Sequence, residues 1–194
     1  MAGSKYFKGK GSRLANSLYR DYTIWHDCGH WRQPVRVGRF TLTCSAAPYS
    51  HDTAEPKPDF GIYLAKSSWE SRLSAIWTNG CYLKSVADKR SYPALVIDWP
   101  DGAGQRPEIL SQLVNIALSK MRHGKWVDIG CIAAHGRTGT LLACIVARVE
   151  HLSAEEAINQ VHKRYCSYAI ENSGQRRAVY DYVAQAGFRI KREV

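Results

Sequence analysis

A chain of 194 residues is long enough to bury the core of one domain with room for a tail. Its 27 Lys and Arg outweigh 17 Asp and Glu for a formal charge of +10, which favours anionic partners such as nucleic acid, acidic proteins or phosphorylated substrates. No apolar run is long enough to span a bilayer and no secretory signal opens the chain, so a soluble cytoplasmic protein without membrane insertion is expected.

Residues 1–20 are rich in Gly, Ser and Lys, show no sustained periodicity and predict a flexible basic leader. The rest, 21–194, reads as one domain, a β-rich part over 21–59 followed by a core over 60–187. The cations at the two ends, Lys5, Lys8, Lys10, Arg13 and Arg20, then Arg189, Lys191 and Arg192, read as solvated tails before they read as a nucleic-acid contact. Alternation and β-branched residues predict strands over 22–25 and 35–44, with Gly29 and Pro34 between them. His26, Cys28, His30 and Cys44 have ligand chemistry but match no common zinc spacing, so no metal site is predicted. All six cysteines, the others being Cys81, Cys131, Cys144 and Cys166, are scattered, which predicts free thiols.

A loop with three prolines over 45–59 leads to a short buried strand over 60–64, and a further strand over 73–77 precedes the Asn79-Gly80 turn. The apolar run 94–97 predicts a core strand ending in Asp98-Trp99-Pro100-Asp101-Gly102. From Pro107, the residues Ile109, Leu110, Leu113, Ile116, Ala117 and Met121 recur at helical spacing, with a stop at His123-Gly124. A strand over 126–130 and a helix to about His151 follow. Ser153, with Glu155 and Glu156, predicts the N-terminus of another helix reaching about Tyr165. A last helix, 173–187, carries Val179, Val183 and Ala186 on one side. Strands interleaved with helices predict an α/β fold with a mostly parallel central sheet flanked by helices and an N-terminal β-rich extension.

The stretch from Val127 to Thr140 has the chemistry of an anion trap. Val127 and Ile129 alternate as in a buried strand, Cys131 ends it, and Gly136 and Gly139 punctuate the passage into an apolar helix. Such a loop aims backbone N–H groups and the positive end of the helix dipole at one point. Arg137 can take two oxygens of a phosphoryl group at once, and the same field favours the thiolate of a cysteine.

Cys131-x5-Arg137-Thr138 resembles the signature of the cysteine-based protein tyrosine and dual-specificity phosphatases. Trp99-Pro100-Asp101 resembles the mobile general-acid loop of that superfamily. Gln175-Arg176-Arg177-Ala178-Val179-Tyr180-Asp181-Tyr182 resembles the glutamine-bearing helix start of its dual-specificity and lipid branches. The three stand in the family's order and the resemblance covers about 60–183. With Tyr165-Cys166, Ala169-Ile170-Glu171 and Gln175, it is similar to small phosphatase-like proteins of bacteria, archaea and their viruses.

The resemblance implies two-step phosphoryl transfer. Cys131 is the implied nucleophile, and Arg137 with the loop residues Ile132, Ala133, Ala134, His135 and Gly136 holds the phosphoryl oxygens. Asp101 is the implied acid and then base, Gln175 places the hydrolytic water, and Thr138 steadies the departing thiolate. This chemistry calls on no metal or cofactor, and phosphorylated protein is the implied substrate, phosphotyrosine first. Two positions depart from the pattern. Gly130 stands where the family usually has histidine, which removes a partner that orders the loop. Ala134 stands where glycine is usual, which suits a position without a positive φ.

Plainer roles compete. Asp98 is a rival acid, Asp101 also suits a turn, and Gln175 suits the first turn of a helix. His135 would either add charge beside a polyanionic substrate or face solvent. Cys144 and Cys166 read as packing residues, or as resolving thiols for an oxidised Cys131. RNA 5′-phosphatase activity is the alternative that the basic charge invites. Phosphoinositide hydrolysis is a third, although Ile132 and His135 stand where the lipid branch has lysines. A phosphate-binding pseudophosphatase is the non-enzymatic reading. Nothing in the sequence bears on oligomeric state.

Overall fold

The computed structural model describes residues 33–46, 58–65, 77–78, 81–84 and 92–187. Among these residues seven strands form one sheet in the order β1-β2-β7-β3-β6-β5-β4. They are β1 (Val35–Val37), β2 (Phe40–Ala46), β3 (Phe60–Tyr63), β4 (Trp77–Thr78), β5 (Cys81–Lys84), β6 (Ala94–Ile97) and β7 (Val127–Cys131). The central four, β2, β7, β3 and β6, run parallel, and antiparallel strands extend the sheet on both sides.

The strand expected over 35–44 is a hairpin. It turns at Gly38-Arg39, with Gly38 at φ +55, and β2 then runs on to Ala46, into the stretch expected to be loop. Of the segment expected over 73–77, only Trp77 lies among the described residues, and it pairs with Tyr82 of β5, a strand that the sequence did not suggest; Asn79 and Gly80 lie outside the described residues. The expected leader over 1–20, the strand over 22–25, the possible ligands His26, Cys28 and His30, and most of the proline loop lie outside the described residues.

Among the described residues four helices occur: α1 (Pro107–Arg122), α2 (Gly136–Glu150), α3 (Ala154–Arg164) and α4 (Ser173–Ala186). Pro107 opens α1, where its missing N–H costs nothing, and Gly124 at φ +72 follows its stop. Ser153 and Glu156 form a reciprocal capping box on α3, a device that contributes about 1 kcal/mol. Helix α2 is buried from Gly136 to Ala147 and apolar nearly all round, as befits the central helix of a layer.

Alternation along β7 sorts its residues onto the two faces. Val127, Ile129 and Cys131 join the main core with side chains of all four helices. Asp128 and Gly130 point the other way, toward a smaller cluster of Tyr63, Ala65, Tyr92, Ala94 and Val96. Because β7 lies between β2 and β3, its carboxyl end opens at the middle of the parallel strands, where sheets of this type place ligands.

Candidate active site

Cys131 is the last residue of β7 and is 2% exposed. The loop then passes through Ile132, Ala133, Ala134 and His135 into the first turn of α2, which contains Gly136, Arg137 and Thr138. Strand end and helix start are thus five residues apart, which brings the N-terminus of α2 close to the place where Cys131 ends the strand.

Arg137 is almost wholly buried and is committed on both arms. Nη1 donates to the Trp99 carbonyl at 2.7 Å, and Nη2 pairs with Asp101 Oδ1 at 2.8 Å. The loop that carries Trp99 and Asp101 therefore lies against the arginine. Trp99, 1% exposed, anchors it, and the indole Nε1 donates back to the Ala103 carbonyl at 2.9 Å. Asp101 itself is largely exposed. Asp98, the rival acid, follows the end of β6 and is exposed, whereas the ion pair with Arg137 Nη2 is made by Asp101.

Gln175 is fully buried in the first turn of α4. Its Oε1 accepts from the Glu171 amide at 2.8 Å, and its amide lies so close over Gly136 that a Cβ there would meet Nε2 at 2.4 Å. Three buried side-chain atoms have no hydrogen-bond partner among the described residues: Arg137 Nε, Thr138 Oγ1 and Gln175 Nε2. Buried polar atoms are nearly always satisfied, so three orphans on three residues of one small site mark a place built for a ligand with several acceptor oxygens. Among the described residues no cluster of His, Cys, Asp or Glu could hold a metal ion.

The two departures from the family pattern have different physical meanings. Gly130 pairs with Ser45 across β2 and β7, and a Cβ on it would lie 2.5 Å from the Ser45 carbonyl oxygen and 3.1 Å from Tyr63 Cδ1. A histidine has no room there. Ala134 has φ +59, so the position does require the left-handed conformation, contrary to the condition under which alanine would suit it. Such a backbone costs an L-residue about 1–2 kcal/mol. The Tyr165 hydroxyl donates to the Ala134 carbonyl and braces the turn from α3. His135 is buried, which removes the solvent-facing alternative.

Beneath the loop lies a polar network that sequence reasoning missed. Asp128 is fully buried and accepts from Thr43 Oγ1 at 2.6 Å, Ser45 Oγ at 2.8 Å and the Tyr63 hydroxyl at 3.2 Å, with Tyr92 bonded in turn to Tyr63. Burial, and then the charge of Asp128, push the Tyr63 hydroxyl above its ordinary value. Its one sequence signal was an acid at an inward position of an otherwise apolar strand. Cys44, on β2, has its thiol pushed up by burial, then by Asp128 and Cys131, with a Tyr165 hydrogen bond working against them. Cys144 and Cys166 are buried free thiols, as are Cys44 and Cys131.

No family model matches the chain. Two uncharacterized proteins of Methanocaldococcus jannaschii are 32% and 31% identical to it over 91 residues, 47% of this chain. The chain spans 60% and 55% of the length of these curated relatives. Among solved structures, human tyrosine phosphatase-like serine/threonine/tyrosine-interacting protein superposes with a TM-score of 0.61 at 13% identity, covering 80% of this chain and 98% of its own. The active form of Tk-PTP gives 0.59 at 19% identity, over 80% and 99%. Human DUSP28 gives 0.56 at 16%, over 79% and 97%. The chain has the fold of the tyrosine and dual-specificity phosphatases.

Proposed function

We propose that the protein is a cysteine-dependent phosphatase that hydrolyses phosphomonoesters of proteins, phosphotyrosine first, with dual specificity as the wider form of the same activity. The observation that carries this is that the three buried side-chain atoms without a partner among the described residues, Arg137 Nε, Thr138 Oγ1 and Gln175 Nε2, belong to the first turn of α2 and to the side chain packed over Gly136 in that turn. A tetrahedral dianion offers acceptors to each of these donors and to the loop amides.

In the first step the Cys131 thiolate attacks phosphorus, a S–P bond forms and the P–O bond to the leaving group breaks. Asp101 gives its proton to the departing oxygen. Arg137 and the amides of 132–137 hold the three equatorial oxygens, where charge is spread in the transition state. In the second step water placed by Gln175 attacks phosphorus and gives its proton to Asp101. The S–P bond breaks, the thiolate returns with Thr138 beside it, and inorganic phosphate leaves. A phosphoryl dianion competes with Asp101 for Arg137 Nη2, so substrate binding frees the carboxyl group for its role.

An acid loop drawn onto Arg137 suits a poor leaving group such as a tyrosine phenol. That favours monoesters over the phosphoanhydride of an RNA 5′ end, which departs with little protonation. The charge of +10 supports RNA as the second substrate reading. Rapid quench with a labelled aryl phosphate tests the proposal: wild type is expected to accumulate a phosphocysteine that Cys131→Ser lacks. Binding without any trapped intermediate would favour a pseudophosphatase. Faster release from triphosphate-ended RNA than from phosphotyrosine peptide would shift the substrate class.

A further inference from the structure

We infer that Asn172 is a positioning residue that clips the general-acid loop to the first turn of α4, so that Asp101 and Gln175 take their stations together. The inference rests on the roles proposed above for those two residues and adds to them a part of the chain that neither role names.

Asn172 is the N-cap of α4, with extended backbone. Its side-chain Oδ1 accepts from the Gln175 amide at 3.0 Å, the bond expected of a cap. Its Nδ2 does something a cap does not require. It donates to the carbonyl of Gly102 at 2.9 Å, a residue 70 positions earlier and next to Asp101. The orientation of the amide is set by its partners, since a backbone N–H must meet the oxygen and a carbonyl must meet the nitrogen.

A second contact joins the same two segments. A Cβ on Gly104 would lie 2.5 Å from the Gly174 carbonyl oxygen, so the backbones touch where both residues are glycine. The loop from Trp99 to Gly104 is thereby held at three points: the Trp99 carbonyl by Arg137, the Gly102 carbonyl by Asn172, and Gly104 against Gly174. Asp101 projects between the first and second of these. Fixing the backbone on both sides of a catalytic group is what places it within the narrow range that proton transfer tolerates. Through its other end the same amide fixes Gln175, whose side chain is held in turn by the Glu171 amide.

The side chain's chemistry is specific to this double task. An ionised aspartate or a serine caps a helix about as well as asparagine, but neither presents the Nδ2 donor at this reach. Asn172→Ser and Asn172→Asp therefore separate the clip from the cap. In both, α4 is expected to stay capped and the thermal midpoint to stay within about 2 °C of wild type.

The test pairs turnover with exchange. With phenyl phosphate, a poor leaving group, kcat is expected to fall roughly 10- to 100-fold in both variants, and with a dinitrophenyl ester, which departs unaided, to stay within about 3-fold. In an Asp101→Asn background, Asn172→Ser is expected to cost little more, since two changes acting through one group do not add. Amide hydrogen exchange over 99–104, which needs no turnover, is expected to quicken in both variants. Equal losses with the two esters, a full additive loss on top of Asp101→Asn, or unchanged exchange would overturn the clip. A wild type that hydrolyses no aryl phosphate, with exchange still quickened by Asn172→Ser, would leave the clip standing and sink the phosphatase reading instead.

Discussion

Arg137 and Asp101 form an ion pair of 2.8 Å between a guanidinium 4% exposed and a carboxylate 74% exposed. The pair joins the two ends of the proposed reaction, the group that holds the phosphoryl oxygens and the group that protonates the leaving oxygen.

Asp101→Asn is expected to lower kcat on phenyl phosphate by about two to four powers of ten, the usual worth of a positioned acid. Vanadate or inorganic phosphate is expected to bind the variant at least as tightly as wild type, because no carboxylate competes for Arg137 Nη2. Inhibition constants and rates measured on the same preparations check both halves. An unchanged rate would exclude Asp101 as the acid.

Gly130 is expected to tolerate no side chain. Its missing Cβ would meet the backbone oxygen of Ser45 on a strand hydrogen-bonded to its own, so the contact cannot relax by a rotamer change. Gly130→Ala is expected to cost about 1–3 kcal/mol of stability, as overpacking does, and Gly130→His to leave little folded protein. Chemical denaturation followed by circular dichroism measures this, and a stable, more active Gly130→His protein would refute it.

Ala134→Gly is expected to act in the opposite direction. Relief of the left-handed backbone should raise the unfolding free energy by about 1 kcal/mol and the midpoint by roughly 2–4 °C. A lower midpoint would show that the Tyr165 brace and the buried methyl outweigh the strain.

Burial pushes the thiols of Cys44 and Cys144 and the hydroxyls of Tyr63 and Tyr182 above their ordinary values. A group that holds its proton more tightly folded than unfolded contributes stability that is whole below its unfolded value and is lost as pH rises toward the folded one. Stability is therefore expected to fall above about pH 8.5, where unfolded thiols ionise, and more steeply past about pH 10 as tyrosines join. Each group adds a slope of about 1.4 kcal/mol per pH unit in its window. Urea titrations across this range should show a shallower alkaline slope for Cys144→Ala, and an identical slope would remove Cys144 from the account.

What the sequence by itself determined was local. Pro107 and the spacing of Leu110, Leu113 and Ala117 predicted α1, and Ser153 with Glu156 predicted the start of α3, because caps and periodicity act between residues a few positions apart. The order of strand, Cys131 loop and α2 was legible for the same reason, as was the company of Asp101 and Gln175 through their motifs. The Gly38-Arg39 turn and β5 were not, since short segments take their state from the strands they pair with. Only the tertiary structure decided that Gly130 faces the Ser45 carbonyl and leaves no room for histidine, that Ala134 must take a positive φ, and that Asn172 reaches Gly102. Each of these is set by backbone brought close from distant parts of the chain, and a close approach of that kind leaves no periodic trace in the residues that make it.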